Sequence, residues 1–175
     1  MAWAAGTIVA LLWSGVVHSD DLPDPASLPT IAVLDLELID TSGEVTDQRE
    51  DHARRLGAMV KRLREDFVAQ GIYRVIDTPE LRARIAETGK SQYLNRCNGC
   101  ELVLARSVDA DRVLTGAVHK VSTLVLSLTV DIKDVATGAI VRRKALDFRG
   151  DNDVAWDRAT RYLVRYLAAI PPASR

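Results

Sequence analysis

Ile31-Ala32-Val33-Leu34-Asp35-Leu36-Glu37-Leu38-Ile39 decides how the rest of the chain is read. Its first half is continuously apolar, as in a strand buried on both faces. Its second half alternates leucine with acid, as at a half-exposed strand end. After a polar loop containing Gly43 the period changes: Leu56, Met59, Val60, Leu63 and Phe67 fall at i, i+3, i+4, i+7 and i+11. That spacing predicts an amphipathic helix with a charged outer face, closed by Gly71 at the C′ position. Ile72 to Ile76 reads as the next strand, so the chain opens with a βαβ unit and a parallel strand pair.

Thr78-Pro79-Glu80 opens a short helix, with Thr78 as N-cap and Pro79 at the first helical position. A polar loop from Glu87 to Arg96 leads into Cys97-Asn98-Gly99-Cys100, and Glu101 to Val108 forms a further helix that stops at Asp109-Ala110-Asp111. Arg112 to Val121 is a strand interrupted by Gly116. Leu124, Leu126, Leu128, Val130 and Ile132 then alternate with Val125, Ser127, Thr129 and Asp131 in a clear period of two. Asp134 to Gly138 turns the chain into a last strand, Ala139 to Phe148. Trp156, Ala159, Leu163, Tyr166, Leu167 and Ile170 share one face of a final helix that Pro171-Pro172 ends. The order β-α-β-α-α-β-β-β-α describes an α/β fold, a mixed β-sheet covered by helices on one or both sides.

Residues 1–19 contain no Asp, Glu, Lys or Arg, and Val17-His18-Ser19 precedes the acidic, Pro-rich Asp20-Asp21-Leu22-Pro23. That arrangement fits a signal peptide cut after Ser19, although its first residues carry no Lys or Arg. The apolar run falls short of the ~20 residues a membrane span needs. No cysteine sits near the cut, so a lipid anchor is not expected. The expected organisation is a signal peptide over 1–19, a Pro-rich linker over 20–30 and a single domain over 31–170, located in a periplasm. The 175-residue chain has a net charge of −1, which provides no field to hold nucleic acid.

In such a compartment Cys97 and Cys100 admit three readings: a structural disulfide, a redox-active pair, or ligands to a metal. Two cysteines cannot fill a tetrahedral zinc site, and neither His52 nor His119 stands at a local ligand spacing. The motif also lacks the preceding strand of a thioredoxin-like site. No metal site and no cofactor is expected.

The densest polar constellation is Arg149-Gly150-Asp151-Asn152-Asp153, followed by Trp156 and Arg158. Asp151 and Asp153 stand where a strand hands over to a helix, where carboxylates cap backbone N–H groups. The same residues could instead bind a ligand or a partner, but they lack the full D-x-[DN]-x-[DN]-G loop of a calcium site. Trp156 lies on the apolar face, as a core residue does. Asp35 and Glu37 alternate on the first strand without a general acid at a fixed offset, and His119 reads as structural. The basic face around Arg54, Arg55, Lys61, Arg62 and Arg64 is interleaved with acids, as in i,i+4 pairing on a solvated helix. No G-x-S-x-G, phosphate-binding loop, H-E-x-x-H or dinucleotide fingerprint is present, so an enzyme is disfavoured.

The strand Ile31 to Asp35, the segment Gly71 to Asp77 and the run Val108 to Gly116 together resemble the amino-terminal domain of TolB and the periplasmic part of the curli secretion protein CsgG. Cys97-Asn98-Gly99-Cys100-Glu101, Thr115 to Ser122 and Arg149 to Trp156 resemble, more specifically, a family of exported bacterial proteins defined only as a domain of unknown function. The first resemblance implies the fold; the second covers nearly the whole chain and implies no activity. Unlike CsgG, this chain has no long membrane-inserting hairpins. The export signal, the fold resemblance and the absent catalytic motifs together point to a non-enzymatic accessory module stapled by Cys97–Cys100, with another periplasmic or envelope protein as partner. A redox or metal-handling role for the cysteines, and small-ligand binding around Arg149 to Trp156, are the alternatives.

Overall fold

The computed structural model describes residues 25–170. The expected signal peptide, the start of the linker and Pro171-Pro172 lie outside them. After a 3-10 turn at Pro25–Ser27, the elements are β1 (Thr30–Val33), β2 (Glu37–Asp40), α1 (Arg49–Ala69), β3 (Arg74–Ile76), α2 (Pro79–Gly89), α3 (Cys100–Arg106), β4 (Arg112–Lys120), β5 (Leu126–Asp134), β6 (Ile140–Phe148) and α4 (Asp153–Ala168). One mixed sheet runs β3-β1-β4-β5-β6, with β2 also pairing with β4. β1 is parallel to β3 and β4, β2 is parallel to β4, and β4, β5 and β6 form an antiparallel meander.

The local signals act as their chemistry requires. α1 closes in a Schellman motif: Gly71 (φ 60°) donates to Val68 O, and Ile72 donates to Phe67 O. Thr78 accepts from Leu81 N at 3.2 Å to open α2. Gly116 does not interrupt β4, which runs straight through it.

The continuous first strand expected over Ile31 to Ile39 is two strands. Val33 pairs with Leu114 and Glu37 with Ala117, so three residues face two on β4, which is the geometry of a bulge. An extra residue reverses the facing of everything after it. Without it Leu36 and Leu38 would share a face with Ala32 and Leu34. With it Leu36 and Leu38 join the core that holds Ile31 and Val33, and Asp35 is turned out to solvent. Gly116 accommodates the break: a Cβ there would stand 2.9 Å from Leu36 Cδ2 and 2.6 Å from Thr129 O.

Helices on both faces make three layers. On one face α1 and α4 bury Met59, Val60, Leu63, Phe67, Trp156, Leu163 and Val164 against Leu114, Val118, Leu128 and Val130. On the other, α2 and α3 bury Leu81, Ile85, Leu104 and Ala105 against Ala32, Leu34 and Val113. This second pair gathers at the β3-β1-β4 side, leaving Thr129, Ala145 and Asp147 exposed. β6 is the last strand of the sheet.

Candidate functional site

The polar constellation after β6 divides between an anchor inside the protein and a groove outside it. Asp151 is the anchor, with its side chain 0% exposed. Its Oδ1 accepts from Arg55 Nη1 at 2.9 Å and from Trp156 Nε1 at 3.0 Å. Its Oδ2 lies 2.7 Å from His52 Nε2 and 3.2 Å from Lys120 Nζ. Burial pushes this carboxyl upward, but the donors from His52 and Lys120 and the nearby charges outweigh it and hold Asp151 below the usual carboxylate range. Lys120 is likewise 1% exposed; burial opposes its charge, yet Glu44 and Asp151 raise it above the ordinary lysine value.

Capping of α4 falls to Asn152, whose Oδ1 accepts from Ala155 N at 3.0 Å, rather than to either aspartate. Asp153 pairs with Arg54 and Arg55 of α1, and these bonds, Arg54 first, hold its carboxyl at about 2. Trp156 is a core residue, stacked on His52 at 6.0 Å and edge-on to Phe148. The basic face of α1 is only partly an i,i+4 ladder. Lys61–Glu65 and Arg62–Asp66 are such pairs, whereas Arg54 and Arg55 reach α4's start and Arg64 reaches Asp77.

Arg149 and Arg158 are instead among the residues that line a groove of about 540 Å³ between β6 and α4. Its walls are residues 144–149 on the strand side and Arg158, Tyr162 and Arg165 on the helix side, over Ala155 and Ala159. Lys144 Nζ stands 4.2 Å from the centre of the Tyr166 ring, a cation–π contact. Sequence reasoning found two of the groove's cations and missed Lys144 and Arg165, which reach it only through the tertiary packing of α4 on β6.

Cys97 and Cys100 form a disulfide. Cys97 Sγ lies 3.1 Å from Oε2 of Glu101, which is 2% exposed and paired with Lys133 Nζ at 2.6 Å. The two sulfurs and the Glu101 carboxylate lie within 4.8 Å of one another, so a metal ion could use the sulfurs only after reduction. Glu37 accepts from Leu94 N and Asn95 N and ties this loop to the sheet, while Asp35 is exposed to solvent, so the two acids sit in different surroundings. His119 Nε2 meets Thr41 Oγ1 at 2.8 Å.

The family model DUF3280, described as "Protein of unknown function (DUF2380)", matches residues 29–167. The chain belongs to that family. No curated protein matches this family member in sequence. Its fold is similar to that of the LpoB C-terminal domain from Salmonella enterica, at 15% identity and TM-score 0.50 over 69% of this chain and 82% of that one. It is similar to PelC from Paraburkholderia phytofirmans, solved as a dodecamer, at 18% identity and TM-score 0.51 over 84% and 91% of the chains. Lipoprotein GNA1162 from Neisseria meningitidis aligns at 14% identity and TM-score 0.51 over 81% and 99%. At these identities the likeness is one of fold. Among the described residues no helix is long and apolar enough to cross a membrane.

Proposed function

We propose that this protein is an exported, non-enzymatic accessory module of the cell envelope that docks an extended segment of a partner protein on the open edge of its sheet. The observation that carries the reading is the groove wall. Residues 144–149 line it consecutively, although alternate side chains of a strand face opposite ways, so the wall is the backbone edge of β6 itself. Among the described residues no strand lies beyond β6, and such an edge presents N–H and C=O groups to which another chain can add. The uncharged apolar stretch over 1–19 and the disulfide support export to an oxidising compartment. Among proteins of this fold, one is named a lipoprotein and one is solved as a dodecamer, which fits envelope location and work through protein contacts. In this reading Asp151, Asn152, Asp153 and Trp156 hold the groove's shape, while Arg149 and Arg158 face the partner.

The test is photo-crosslinking in cells that export the protein, with a benzophenone amino acid at Ala145 or Tyr162 and, as control, at Arg84 on α2. The same protein, identified by mass spectrometry, should be joined to both groove positions and not to position 84. No adduct from the groove, or equal adducts from all three positions, would overturn the reading.

A second reading, redox or metal handling, is favoured by the Glu101 carboxylate beside Cys97. It requires that protein purified from the oxidising compartment carry free thiols or bound metal, measured by thiol titration and elemental analysis.

A further inference from the structure

The cations of α1 and those of the groove differ in their partners. Every basic residue of α1 is matched by a carboxylate: Arg49 by Asp47, Arg54 by Asp51 and Asp153, Arg55 by Asp151 and Asp153, Lys61 by Glu65, Arg62 by Asp66, and Arg64 by Asp77. The groove is different. Lys144, Arg149, Arg158 and Arg165 line it, Asp147 is its single acid, and among the described residues none of the four cations forms an ion pair. On a chain whose net charge is −1, four cations without a carboxylate partner thus lie together along one edge of the sheet.

We infer that the segment docked on β6 is acidic, carrying carboxylates at alternate positions of an added β-strand; the inference rests on the docking reading. The spacing fits. Six residues of strand span roughly 20 Å, and alternate side chains of an added strand recur about every 7 Å on one side. Arg158 and Arg165 lie seven residues apart on α4, about 10 Å along its axis, and Tyr162 stands between them. Side chains directed from the added strand toward α4 meet those guanidinium groups, with Lys144 and Arg149 on the strand side. Arginine suits this task, because its planar fork grips a carboxylate through two parallel hydrogen bonds. The floor is Leu146, Phe148, Ala155 and Ala159. A concave groove with an apolar floor and a backbone edge for a wall matches a peptide better than a flat lipid surface or a hydroxyl-rich polysaccharide, which would leave the strand edge unused.

The test is fluorescence anisotropy on the purified exported protein with a labelled octapeptide of alternating Glu and Val. The comparison probes are a Lys-Val octapeptide, a Glu-Val octapeptide N-methylated at alternate residues, alginate oligomers, and vesicles containing phosphatidylglycerol. The Glu-Val peptide should bind, the Lys-Val peptide should not, and N-methylation should abolish binding because it removes the ladder hydrogen bonds. Arg158→Glu/Arg165→Glu should weaken binding by about tenfold or more, while Arg161→Glu, whose guanidinium is already paired with Asp157 outside the groove, should change it by less than about twofold. Equal binding of Glu-Val and Lys-Val peptides, an equal effect of Arg161→Glu, or competition by alginate or vesicles as strong as by the peptide would overturn the inference. If the acidic peptide fails while the Ala145 and Tyr162 adducts form, the charge assignment falls and docking stands. If the adducts are absent, docking itself falls.

Discussion

Lys120 Nζ and Asp151 Oδ2 meet at 3.2 Å with both side chains closed to solvent. β4 brings the lysine to this point, and the turn between β6 and α4 brings the aspartate. The pair, with His52 and Arg55 of α1, therefore ties three elements together at one point. Charges in such a place persist only because each has opposite charges and hydrogen-bond donors or acceptors around it.

Asp151→Asn should cost about 3–5 kcal/mol of unfolding free energy, because it leaves Lys120 and Arg55 buried without a full counter-charge. Urea denaturation followed by Trp fluorescence measures it. Lys120→Met in the same chain should return part of the loss, and a double-mutant cycle gives the coupling. A single-variant loss under about 1 kcal/mol would contradict the anchoring role.

The pH dependence has a definite sign. Asp151 titrates below 3.8 when folded, so its contribution is complete above that value and disappears as pH falls through its folded pKa. Lys120 titrates above 10.5 when folded, so its contribution holds below that value and is lost as pH rises through its folded pKa. Glu37, raised above 4.5 chiefly by burial, acts oppositely to Asp151: protonating it favours the fold. Melting temperature should therefore fall as pH drops below 3.8 in the parent and fall less steeply in Asp151→Asn. Parallel curves would show that Asp151 does not govern the acid limb.

The elements visible in the sequence are those with local causes. The stripe through Leu56, Met59, Val60, Leu63 and Phe67 made α1, Gly71 ended it, Thr78 and Pro79 started α2, and the alternation through Leu128 and Val130 made β5. The bulge at Asp35 was hidden because both facings of Leu36 and Leu38 bury leucine, and only the pairing with β4 chooses between them. Asp151 read as a cap because three of its four donors, His52 and Arg55 of α1 and Lys120 of β4, are remote in the chain. One signal was available: His52 stands four residues before Leu56 and so extends the buried stripe of α1, where an imidazole needs a polar partner.

Gly116→Ala should destabilise by roughly 1–3 kcal/mol, since its methyl group would press on Thr129 O, a backbone atom that cannot turn aside. Leu36→Ala added to it should relieve little, because the carbonyl contact at 2.6 Å remains. An unchanged denaturation midpoint for Gly116→Ala would mean that the strands separate freely there.

Replacing both cysteines, Cys97→Ser with Cys100→Ser, opens a loop of sequence separation 3 and should cost about 2 kcal/mol by the chain-entropy estimate. Reduction of the parent with dithiothreitol should lower its stability by a similar amount. The crosslink at Ala145 should survive in the serine variant at temperatures where the protein stays folded. Its loss there would move the functional weight from the groove to the sulfurs.

The place of β4 between parallel and antiparallel neighbours sets an order of assembly. The meander closes through two connections of five residues, 121–125 and 135–139, whereas β1 reaches β4 across 81 residues at Thr30 and Asp111. By loop-closure entropy the longer connection is disfavoured by about 2–3 kcal/mol, so the hairpins nucleate first and the amino-terminal strands arrive as a late clasp. Until they do, Val113, Leu114 and Val118 sit on an unguarded strand edge. A fragment shorn of β1 and β2 keeps that edge permanently, and its fate is self-association.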